Sequence, residues 1–416
     1  MADFNFKKWN LILGWFAFLI AFITYSLTVE PTVSFWDAGE YILTSSKLQV
    51  GHPPGAPFFQ MMGAFFSIFA TDPTQIGLMI NMMSATASAF TILFMFWSIV
   101  LLIKQVVKNN NESSKGQNAA ILGAAFVGSL SFAFTDSFWF NAVETEVYAM
   151  ATLIMAVLFY LGLRWGNDMF TPRGNKWLIL ISFVVGLSFG VHFMGLLTIP
   201  AIGLIYYFKN HKTITVKNFV LANLAGIAVL LFVFKLLAPN ILRYFSALEI
   251  FFVNSVGLPF NSGSIIAFVL LVGFIIFGIR YTRKKNYVNL NTALLCITFV
   301  VVGFSSWLML PIRANANVTV NENNPSSARE LLAYYNLEQY PKTHLFYGPQ
   351  FTDQYAGLDE NQPYVDDKPK YEKDKTIGKY VVVNDFKNGS QNYNSKHASL
   401  LPRMWSSEHA ENYMMY

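Results

Sequence analysis

The chain has 416 residues, of which 54% are hydrophobic and 13% are charged, with 40 phenylalanines. Soluble domains carry about 25% charged residues, so this deficit excludes an ordinary soluble protein and predicts a polytopic membrane protein. The net charge of +5 does not indicate nucleic-acid binding, because the basic residues fall in short clusters between apolar runs, and the single cysteine, Cys296, excludes an intrachain disulfide framework.

Nine apolar stretches predict an all-α bundle of about nine transmembrane helices. They lie near residues 9–29, 74–103, 118–138, 147–166, 177–191, 194–208, 218–238, 263–281 and 289–311. The run 177–208 is too long for one span, so we interpret it as two short helices with His192 at the turn between them. The first run follows Lys7 and Lys8 and lacks a small-residue cleavage site, which predicts an uncleaved span.

Basic residues between the spans predict the orientation. They occupy alternate connections: Lys7 and Lys8; Lys104, Lys108 and Lys115; Arg164, Arg173 and Lys176; Lys209, Lys212 and Lys217; and Arg280, Arg283, Lys284 and Lys285. By the positive-inside rule the N-terminus is cytoplasmic, and the first outward loop, residues 30–73, shares the outer face with everything after Pro311. We expect an integral protein of a bacterial inner membrane, in contact with membrane lipids, whose polar loops and C-terminus face outward.

The first outward loop carries two carboxylates, Asp37 and Glu40, and then a His-Pro-Pro-Gly turn that begins at His52. An amphipathic helix over residues 36–50 would place both carboxylates on one face. Transfer of a sugar to a hydroxyl group needs a carboxylate to take the proton, on a face that excludes water. Asp37 and Glu40 are therefore candidate catalytic residues. The alternative is that one acid stabilises a helix dipole while Glu40 is solvated.

Two histidines are candidate substrate-binding residues. In the turn at His52, proline stiffens the backbone and glycine permits a sharp bend, and the imidazole could bind a phosphate or a donor hydroxyl. His192, at the predicted turn between two short helices, is a second candidate ligand for the same groups. The alternatives are a purely structural turn at His52 and, at His192, an imidazole whose hydrogen bonds go to the backbone.

A second outward loop, residues 135–146, adds Asp136, Glu144 and Glu146. Acids gathered on the same face as the first loop suggest a wall that binds the sugar or its acceptor, or a metal site. Glu144 and Glu146 are candidate substrate-binding residues for this reason. Both precede the fourth predicted span, so helix capping explains one of them instead.

Arg313, at the outer end of the last predicted span, is the candidate partner for an anionic phosphate. Lys235 and Arg243 flank the exit of the seventh predicted span, and snorkelling explains Lys235. Arg313 lies in an otherwise cation-poor region, which favours it over the other two.

Residues 314–416 are richer in Asn, Tyr, Asp, Lys and Pro than the predicted membrane domain, residues 1–313. A helix is predicted near 326–336 and a strand near 380–385. This outward segment has too few apolar residues for a self-sufficient core. We expect it to lie against the membrane domain, or the chain to be a fragment of a longer one.

No Gly-rich phosphate loop, zinc spacing or nucleophile elbow occurs in the sequence. Nucleotide sugars are confined to the cytoplasm, so a lipid-linked sugar is the expected donor for an outward site. A divalent metal is compatible with the acids, although no metal-ligand set is predicted.

At these residues the sequence resembles the GT-C superfamily of polytopic glycosyltransferases, and more closely the protein O-mannosyltransferase-related family of bacteria and animals. The segments that carry the resemblance are FWDAGEYILTSSKLQVGHPPGAPFF, NAVETEVYAM and GVHFMGLLTIPA. Asp37 matches the catalytic acid of the classical protein O-mannosyltransferases, and His52 begins the matching His-Pro-Pro turn. In the classical enzymes the two acids are adjacent, whereas here Glu40 is three residues from Asp37.

The resemblance implies a GT-C-like bundle with juxtamembrane helices in the first outward loop and a polyprenyl-phosphate sugar donor. It also implies inversion at the anomeric carbon and transfer of a hexose such as mannose to Ser or Thr hydroxyls of exported acceptor proteins or peptides. Two other classes stay open: a transporter or flippase of a lipid-linked substrate, and a non-catalytic scaffold of an export complex. Acids clustered at one surface, without an internal repeat, argue against the transporter.

Overall fold

The computed structural model describes residues 5–107, 114–340, 346–349, 358–402, 412 and 415. The chain is mostly helical, as predicted, and Lys108 of one basic cluster lies outside the described residues. Its α-helices are α1 Phe6–Thr28, α2 Ala38–Ser46, α3 Pro57–Ser67, α4 Ile76–Val106, α5 Lys115–Ala133, α6 Asp136–Ala142, α7 Val147–Asp168, α8 Gly174–Ser188, α9 Thr198–Asn210, α10 Val216–Leu231, α11 Ala238–Ile250, α12 Ser262–Lys284, α13 Val288–Phe304, α14 Met309–Asn315 and α15 Ala328–Tyr335. Short 3₁₀- or π-helical segments are Pro73–Gln75, Phe193–Leu197, Phe232–Leu237, Phe251–Ser255, Ser305–Leu308 and Ser395–His397.

Six helical segments of the described chain are long and apolar enough to cross a membrane. They are Phe6–Thr28, Pro73–Val106, Val147–Asp168, Val216–Ser255, Ser262–Lys284 and Val288–Asn315. Lys115–Ala133 and Asp136–Ala142 would together make a seventh, although they are bent by 69° at the break between them. The structure therefore confirms an α-helical polytopic membrane protein but does not support the predicted count of nine spans.

The predicted pair of spans near 177–191 and 194–208 explains most of this difference. α8 has 15 residues and α9 has 13. At a rise of 1.5 Å per residue they are about 22 and 20 Å long, short of a hydrocarbon core of about 30 Å. Residues 239–262, between the seventh and eighth predicted spans, are also mostly helical, because the helical segment Val216–Ser255 continues through most of them.

The spans leave many apolar side chains on the outside of the protein. Within the most apolar window of Ser262–Lys284 only 11% of the residues are buried. Ile265, Phe268 and Phe274 of this helix are exposed. Water solvates such a continuous surface poorly, whereas lipid tails are as apolar as the side chains themselves. These faces are therefore suited to contact with lipid.

Contacts divide the chain into two units: Met1–Leu242 with Val269–Ser326, and Arg243–Phe268 with Ser327–Tyr416. In the first unit α8 and α13 pack so closely that a Cβ on Gly186 would collide with the carbonyl oxygen of Val300. Small residues permit this kind of backbone contact between membrane helices. The indole N–H of Trp307 donates to the carbonyl of Phe189 at 2.9 Å, which fixes the end of α8.

The second unit is centred on the buried carboxylate of Glu249, which is 1% exposed. It accepts hydrogen bonds from the backbone N–H groups of Asn261 and Ser264, at 2.6 and 2.7 Å. The hydroxyls of Ser264 and Tyr380 donate to it at 2.9 and 3.0 Å. Asn254 and the backbone of Tyr380 exchange two further hydrogen bonds, at 2.8 and 2.9 Å. This network joins α11 to the start of α12 and to Tyr380 in residues 327–416, which we term the polar tail.

The described residues of the polar tail also contain three two-stranded antiparallel sheets. Their pairs are β1 Tyr347–Pro349 with β6 Ala398–Leu400, β2 Tyr364–Val365 with β5 Ser390–Gln391, and β3 Lys370–Asp374 with β4 Lys379–Asn384. The strand predicted near 380–385 is β4 and the helix predicted near 326–336 is α15, so both local predictions are confirmed.

Candidate active site

Asp37 lies at the N-terminus of α2, the short helix that follows the first span. It is the N-cap residue, so the helix predicted over 36–50 begins only after it and ends at Ser46. An N-cap aspartate usually accepts a hydrogen bond from a backbone N–H of the first turn. In the described structure the Asp37 side chain makes no such bond, and it is 59% exposed. Its oxygens are therefore accessible to a ligand.

Glu40, in the first turn of α2, is held by His52. Its Oε1 accepts the backbone N–H of His52 at 2.6 Å, and its Oε2 lies 2.9 Å from His52 Nδ1. Gly55 closes the turn with a φ of 71° and donates its N–H to the His52 carbonyl at 2.9 Å. A Cβ on Gly51 would lie 2.6 Å from Glu40 Oε1, so the approach of this turn to α2 requires glycine.

The charges of Glu40 and His52 stabilise each other. The hydrogen bond to Glu40 raises the pKa of His52 above its ordinary value, although burial alone would lower it. Burial alone would raise the pKa of Glu40, but the hydrogen bonds and charge of His52 outweigh it, and the pKa is lowered. Both shifts favour an ion pair between carboxylate and imidazolium.

Asp37, Glu40 and His52 form one group, which we term the acid–histidine cluster. His52 Nε2 lies 4.0 Å from Asp37 Oδ2. One candidate ligand atom from each residue lies within 4.8 Å of the other two. Two carboxylate oxygens and an imidazole nitrogen suit a divalent metal.

Glu146 is buried next to Asp37. It is the N-cap residue of α7, is 6% exposed, and accepts the backbone N–H of Asp37 on Oε1 at 3.2 Å. Burial, and then the charge of Asp37, raises the pKa of Glu146 to about 7. Glu144 is 2% exposed, and burial raises its pKa as well. The structure thus brings Glu146 to the cluster through the Asp37 backbone, with little surface of either acid exposed.

Arg313 lies at the opposite end of α2 from Asp37. Its Nε donates to the carbonyl of Leu48 at 2.5 Å and its Nη2 to the carbonyl of Lys47 at 3.1 Å. A helix of the nine residues in α2 is about 14 Å long. The structure therefore does not bring Arg313 to the acid–histidine cluster. Arg313 satisfies backbone carbonyls that follow the last turn of α2.

His192 also lies outside the acid–histidine cluster. Its Nδ1 accepts a hydrogen bond from the backbone N–H of Met194 at 3.1 Å. This contact agrees with the alternative in which the hydrogen bonds of the imidazole go to the backbone. Its ring centroid is 5.4 Å from that of Tyr148, two residues after Glu146. The neighbouring carbonyl of Gly190 accepts two backbone N–H groups from the first turn of α3, at 2.7 and 3.0 Å. His192 thus lies in the turn that packs against the start of α3.

Glu322 was not predicted, although the structure places it near the cluster. The N–H of Val50 donates to the carbonyl of Val320 and the N–H of Glu322 donates to the carbonyl of Val50, both at 3.0 Å. Burial and then the charge of Glu40 raise the pKa of Glu322, and the charge of His52 opposes them. No local pattern in its polar stretch marks Glu322, because only this long-range backbone pairing brings it to the site.

The fold and the cluster define a class: a polytopic helical membrane protein with two carboxylates and a histidine gathered on a short helix after its first span. Residues 37–215 match the family model described as Protein O-mannosyl-transferase TMEM260 N-terminal domain. Residues 341–416 match a second model, described as Family of unknown function (DUF8416). The first match begins at Asp37 and confirms the resemblance to the protein O-mannosyltransferase-like family over the part of the chain that carries the cluster.

Two curated relatives bear the same family name. The chain is 26% identical over 243 residues to "Protein O-mannosyl-transferase tmem260" of Dictyostelium discoideum, covering 55% of this chain and 28% of the relative. It is 24% identical over 164 residues to "Protein O-mannosyl-transferase TMEM260" of Mus musculus, covering 39% of this chain and 21% of the relative. The chain spans about a quarter of the length of the curated relatives it matches. No solved structure matches it.

Proposed function

We propose that this protein is a membrane glycosyltransferase that moves a hexose such as mannose from a polyprenyl-phosphate carrier to Ser or Thr hydroxyls of exported proteins. The supporting observation is the difference between its two carboxylates. Both oxygens of Glu40 contact His52, whereas the Asp37 carboxylate is 59% exposed. The names of the matched relatives, protein O-mannosyl-transferases, agree with this chemistry.

In this proposal Asp37 is the general base. The acceptor hydroxyl oxygen attacks the anomeric carbon while its proton passes to the Asp37 carboxylate. The bond between the anomeric carbon and the phosphate oxygen breaks, and its electron pair leaves with the lipid phosphate. Attack and departure on opposite faces invert the anomeric configuration.

The other cluster residues serve Asp37 in this scheme. Glu40 is a positioning residue, because it holds His52 with the imidazole 4.0 Å from Asp37. The imidazole lies next to the Asp37 carboxylate, which is the group that accepts the proton in this scheme. His52 is then the cation next to the reacting atoms, in place of the more distant Arg313. The buried Glu144 and Glu146 support the loop, and His192 stays a predicted substrate contact.

Replacing the proposed base tests this function. Asp37→Asn keeps the size of the side chain and removes its basicity, so transfer should fall by about 10²- to 10⁴-fold. The assay uses the protein in membranes, a radiolabelled polyprenyl-phosphate mannose and a Ser/Thr-rich peptide. Asp385→Asn is the matched control and should keep its activity, because Asp385 is 58% exposed and forms a surface pair with Lys387.

Two results would count against the proposal. Full transfer by a folded Asp37→Asn protein would contradict the assignment of Asp37 as the general base. Failure of the unmodified protein to transfer any polyprenyl-linked hexose would contradict the proposed glycosyltransferase activity. An equal melting temperature of the variant and the unmodified protein shows that lost transfer is not lost folding.

A divalent metal is proposed as an alternative to the His52 cation, with a neutral His52 as one of its ligands. If Asp37, Glu40 and His52 held one, it would neutralise negative charge that develops on the leaving phosphate. Dialysis against a chelator should then abolish transfer, and added Mn²⁺ or Mg²⁺ should restore it. Transfer that is unchanged by the chelator would show that the reaction needs no bound divalent metal.

A further inference from the structure

Asn81, in the second turn of α4, links the two outward loops that meet at Asp37. The side chain is fully buried. Its amide nitrogen donates to the carbonyls of Glu30 and Thr32 in the first loop, at 2.7 and 2.8 Å. Its amide oxygen accepts the hydroxyl of Thr145 in the second loop, and Thr145 is also fully buried. One side chain on a membrane span therefore contacts both loops.

The same loops also contact each other and the span through their backbones. The N–H of Glu30 donates to the carbonyl of Val143 at 2.9 Å. Gly77, one helical turn before Asn81, lies against the first loop, because a Cβ there would be 3.6 Å from the carbonyl oxygen of Thr32. The contact between the first loop and α4 thus extends over two helical turns.

The second loop carries this contact on to the acid–histidine cluster. Glu146 directly follows Thr145 in the chain, and its carboxylate accepts the backbone N–H of Asp37 at 3.2 Å. The position of Asp37 is therefore fixed both by the first loop, in which it lies, and by the hydrogen bond to Glu146 of the second loop. Asn81 holds each of these loops by a hydrogen bond.

Packing of the span alone does not explain an asparagine at this position. Leucine has the same branching and number of side-chain heavy atoms and is cheaper to bury in a membrane helix. It would, however, leave the buried Thr145 hydroxyl and the two part-buried loop carbonyls without their partner. A buried polar group without its partner costs about 1–3 kcal/mol. The asparagine therefore serves the loops rather than the helix.

We propose that Asn81 is a positioning residue that fixes Asp37 against the reacting atoms by holding the loops 30–37 and 143–146 together. Asn81 acts through Thr145 and Glu146 and touches no substrate. Its kinetic role rests on the proposed glycosyl transfer, whereas the ordering of the loops does not.

Kinetics of two variants test the role in transfer. Asn81→Leu removes all three hydrogen bonds, and Thr145→Val removes one with little change of shape. Misplacing a catalytic group by about 1 Å can cost 10²-fold, so kcat should fall by about 10- to 100-fold. KM should change by less than about twofold, since the substrate contacts are kept. Thr145→Ser keeps the hydroxyl and should restore kcat, which a loss of packing alone would not predict.

The matched control is Thr91→Val. Thr91 lies on the same helix, is 2% exposed, and donates its hydroxyl to the carbonyl of Ala87 within that helix. This change should leave kcat unaltered. Thr145→Val carries the test if Asn81→Leu does not fold, because it disturbs only one hydrogen bond.

A labelling experiment tests the ordering of the loops without any transfer assay. The Ser34 hydroxyl lies in the first loop and is buried. With the single Cys296 replaced by serine, Ser34→Cys should react slowly with a maleimide. Asn81→Leu or Thr145→Val should raise that rate by about tenfold or more, because local opening exposes the loop. Thr91→Val should not raise it, and the melting temperature separates local opening from unfolding.

Each outcome decides the proposal. Unchanged labelling in both folded variants would overturn the role of Asn81 in ordering the loops. Faster labelling with unchanged kcat would overturn its role in positioning Asp37. If the unmodified protein transfers no sugar, the proposed function fails, and labelling alone decides whether Asn81 orders the loops.

Discussion

Among single side chains, Asp37 and Glu40 show how two like groups three residues apart receive different environments. The turn through Gly51 and Gly55 brings His52 back onto α2, where it contacts both oxygens of Glu40. Asp37, at the helix terminus, keeps its carboxylate exposed. The difference arises from the path of the backbone and not from the residue types. A carboxylate without such contacts is better suited to accept a proton from a substrate.

The Glu40–His52 pair should make stability depend on pH. The folded-state pKa of His52 is raised, so its contribution is complete below the unfolded value of 6.5 and is lost as pH rises through the folded pKa. The folded-state pKa of Glu40 is lowered, so its contribution is present above the unfolded value of 4.5 and is lost as pH falls through the folded pKa. Glu40→Gln should therefore lower the melting temperature most between pH 4.5 and 6.5.

Melting temperatures of the two proteins, measured from about pH 3.5 to pH 9, check this dependence. Glu372→Gln is the control, because Glu372 forms a surface pair with Lys370 and is 51% exposed. Exposed pairs contribute little, so its effect should be small at every pH. A decrease for Glu40→Gln that is equal at all pH values would contradict the ion pair.

Part of the cluster could be predicted from the sequence. Two acids three apart in a short helix indicated that Asp37 and Glu40 would share a face, and the structure gathers His52 with them. Glu322 could not be predicted, because its approach depends on a backbone pairing of residues far apart in the chain. The position of Arg313 depends in the same way on where distant carbonyls are left unpaired.

For helices and their junctions, the carboxylate of Glu249 shows how a span ends. It accepts three hydrogen bonds from Asn261 and Ser264, and these residues lead into the next helix. Glu249→Gln would turn one acceptor oxygen into an N–H donor that faces other donors. Hydrogen bonds to charged groups are worth about 1.5–3 kcal/mol, so the free energy of unfolding should fall by about that amount.

Thermal melting of the detergent-solubilised protein measures this change. Glu360→Gln is the matched control, since Glu360 forms an exposed pair with Lys396 and its side chain is 75% exposed. It should leave the melting temperature unchanged. An unaltered melting temperature for Glu249→Gln would show that the junction does not depend on this carboxylate.

Helix boundaries were the least predictable feature at this level. Apolar runs predicted the positions of the long spans, because the ability of a helix to cross the bilayer depends on its length and hydropathy, which can be read from the sequence. They did not show that α8 and α9 are too short to cross, nor that helix continues through most of 239–262. Helix ends depend on capping and tertiary contacts, which single-residue hydropathy does not contain.

For the protein as a whole, the predicted orientation has a direct test. Lys47, in a loop predicted to face outward, and Lys285, in a predicted cytoplasmic connection, are both exposed. With Cys296 replaced by serine, a membrane-impermeant maleimide added to intact cells should label Lys47→Cys and not Lys285→Cys. This expectation follows from the positive-inside rule, which places the basic loops in the cytoplasm. Labelling of Lys285→Cys and not of Lys47→Cys would contradict the predicted orientation.

Composition was sufficient to predict the class of the whole molecule. A charged fraction of 13% cannot cover a water-facing surface of the usual kind, and the described chain has the long apolar helices that this implies. The proposed division into 1–313 and 314–416 stays a prediction. Composition marks where polar sequence begins but not which distant segments pack together.

The short helices α8 and α9 have a consequence for the surrounding lipid. A hydrophobic segment shorter than the local hydrocarbon thickness is accommodated by a thinner bilayer or by anchoring side chains that reach toward the headgroups. If α8 begins and α9 ends at one surface of the hydrocarbon core, the turn that carries His192 lies about 8 Å below the other surface, because a core of about 30 Å exceeds the roughly 22 Å length of α8 by about that much. Under the proposed function, headgroups drawn down into that depression would carry the phosphate-linked sugar of the donor toward α3 without leaving their leaflet.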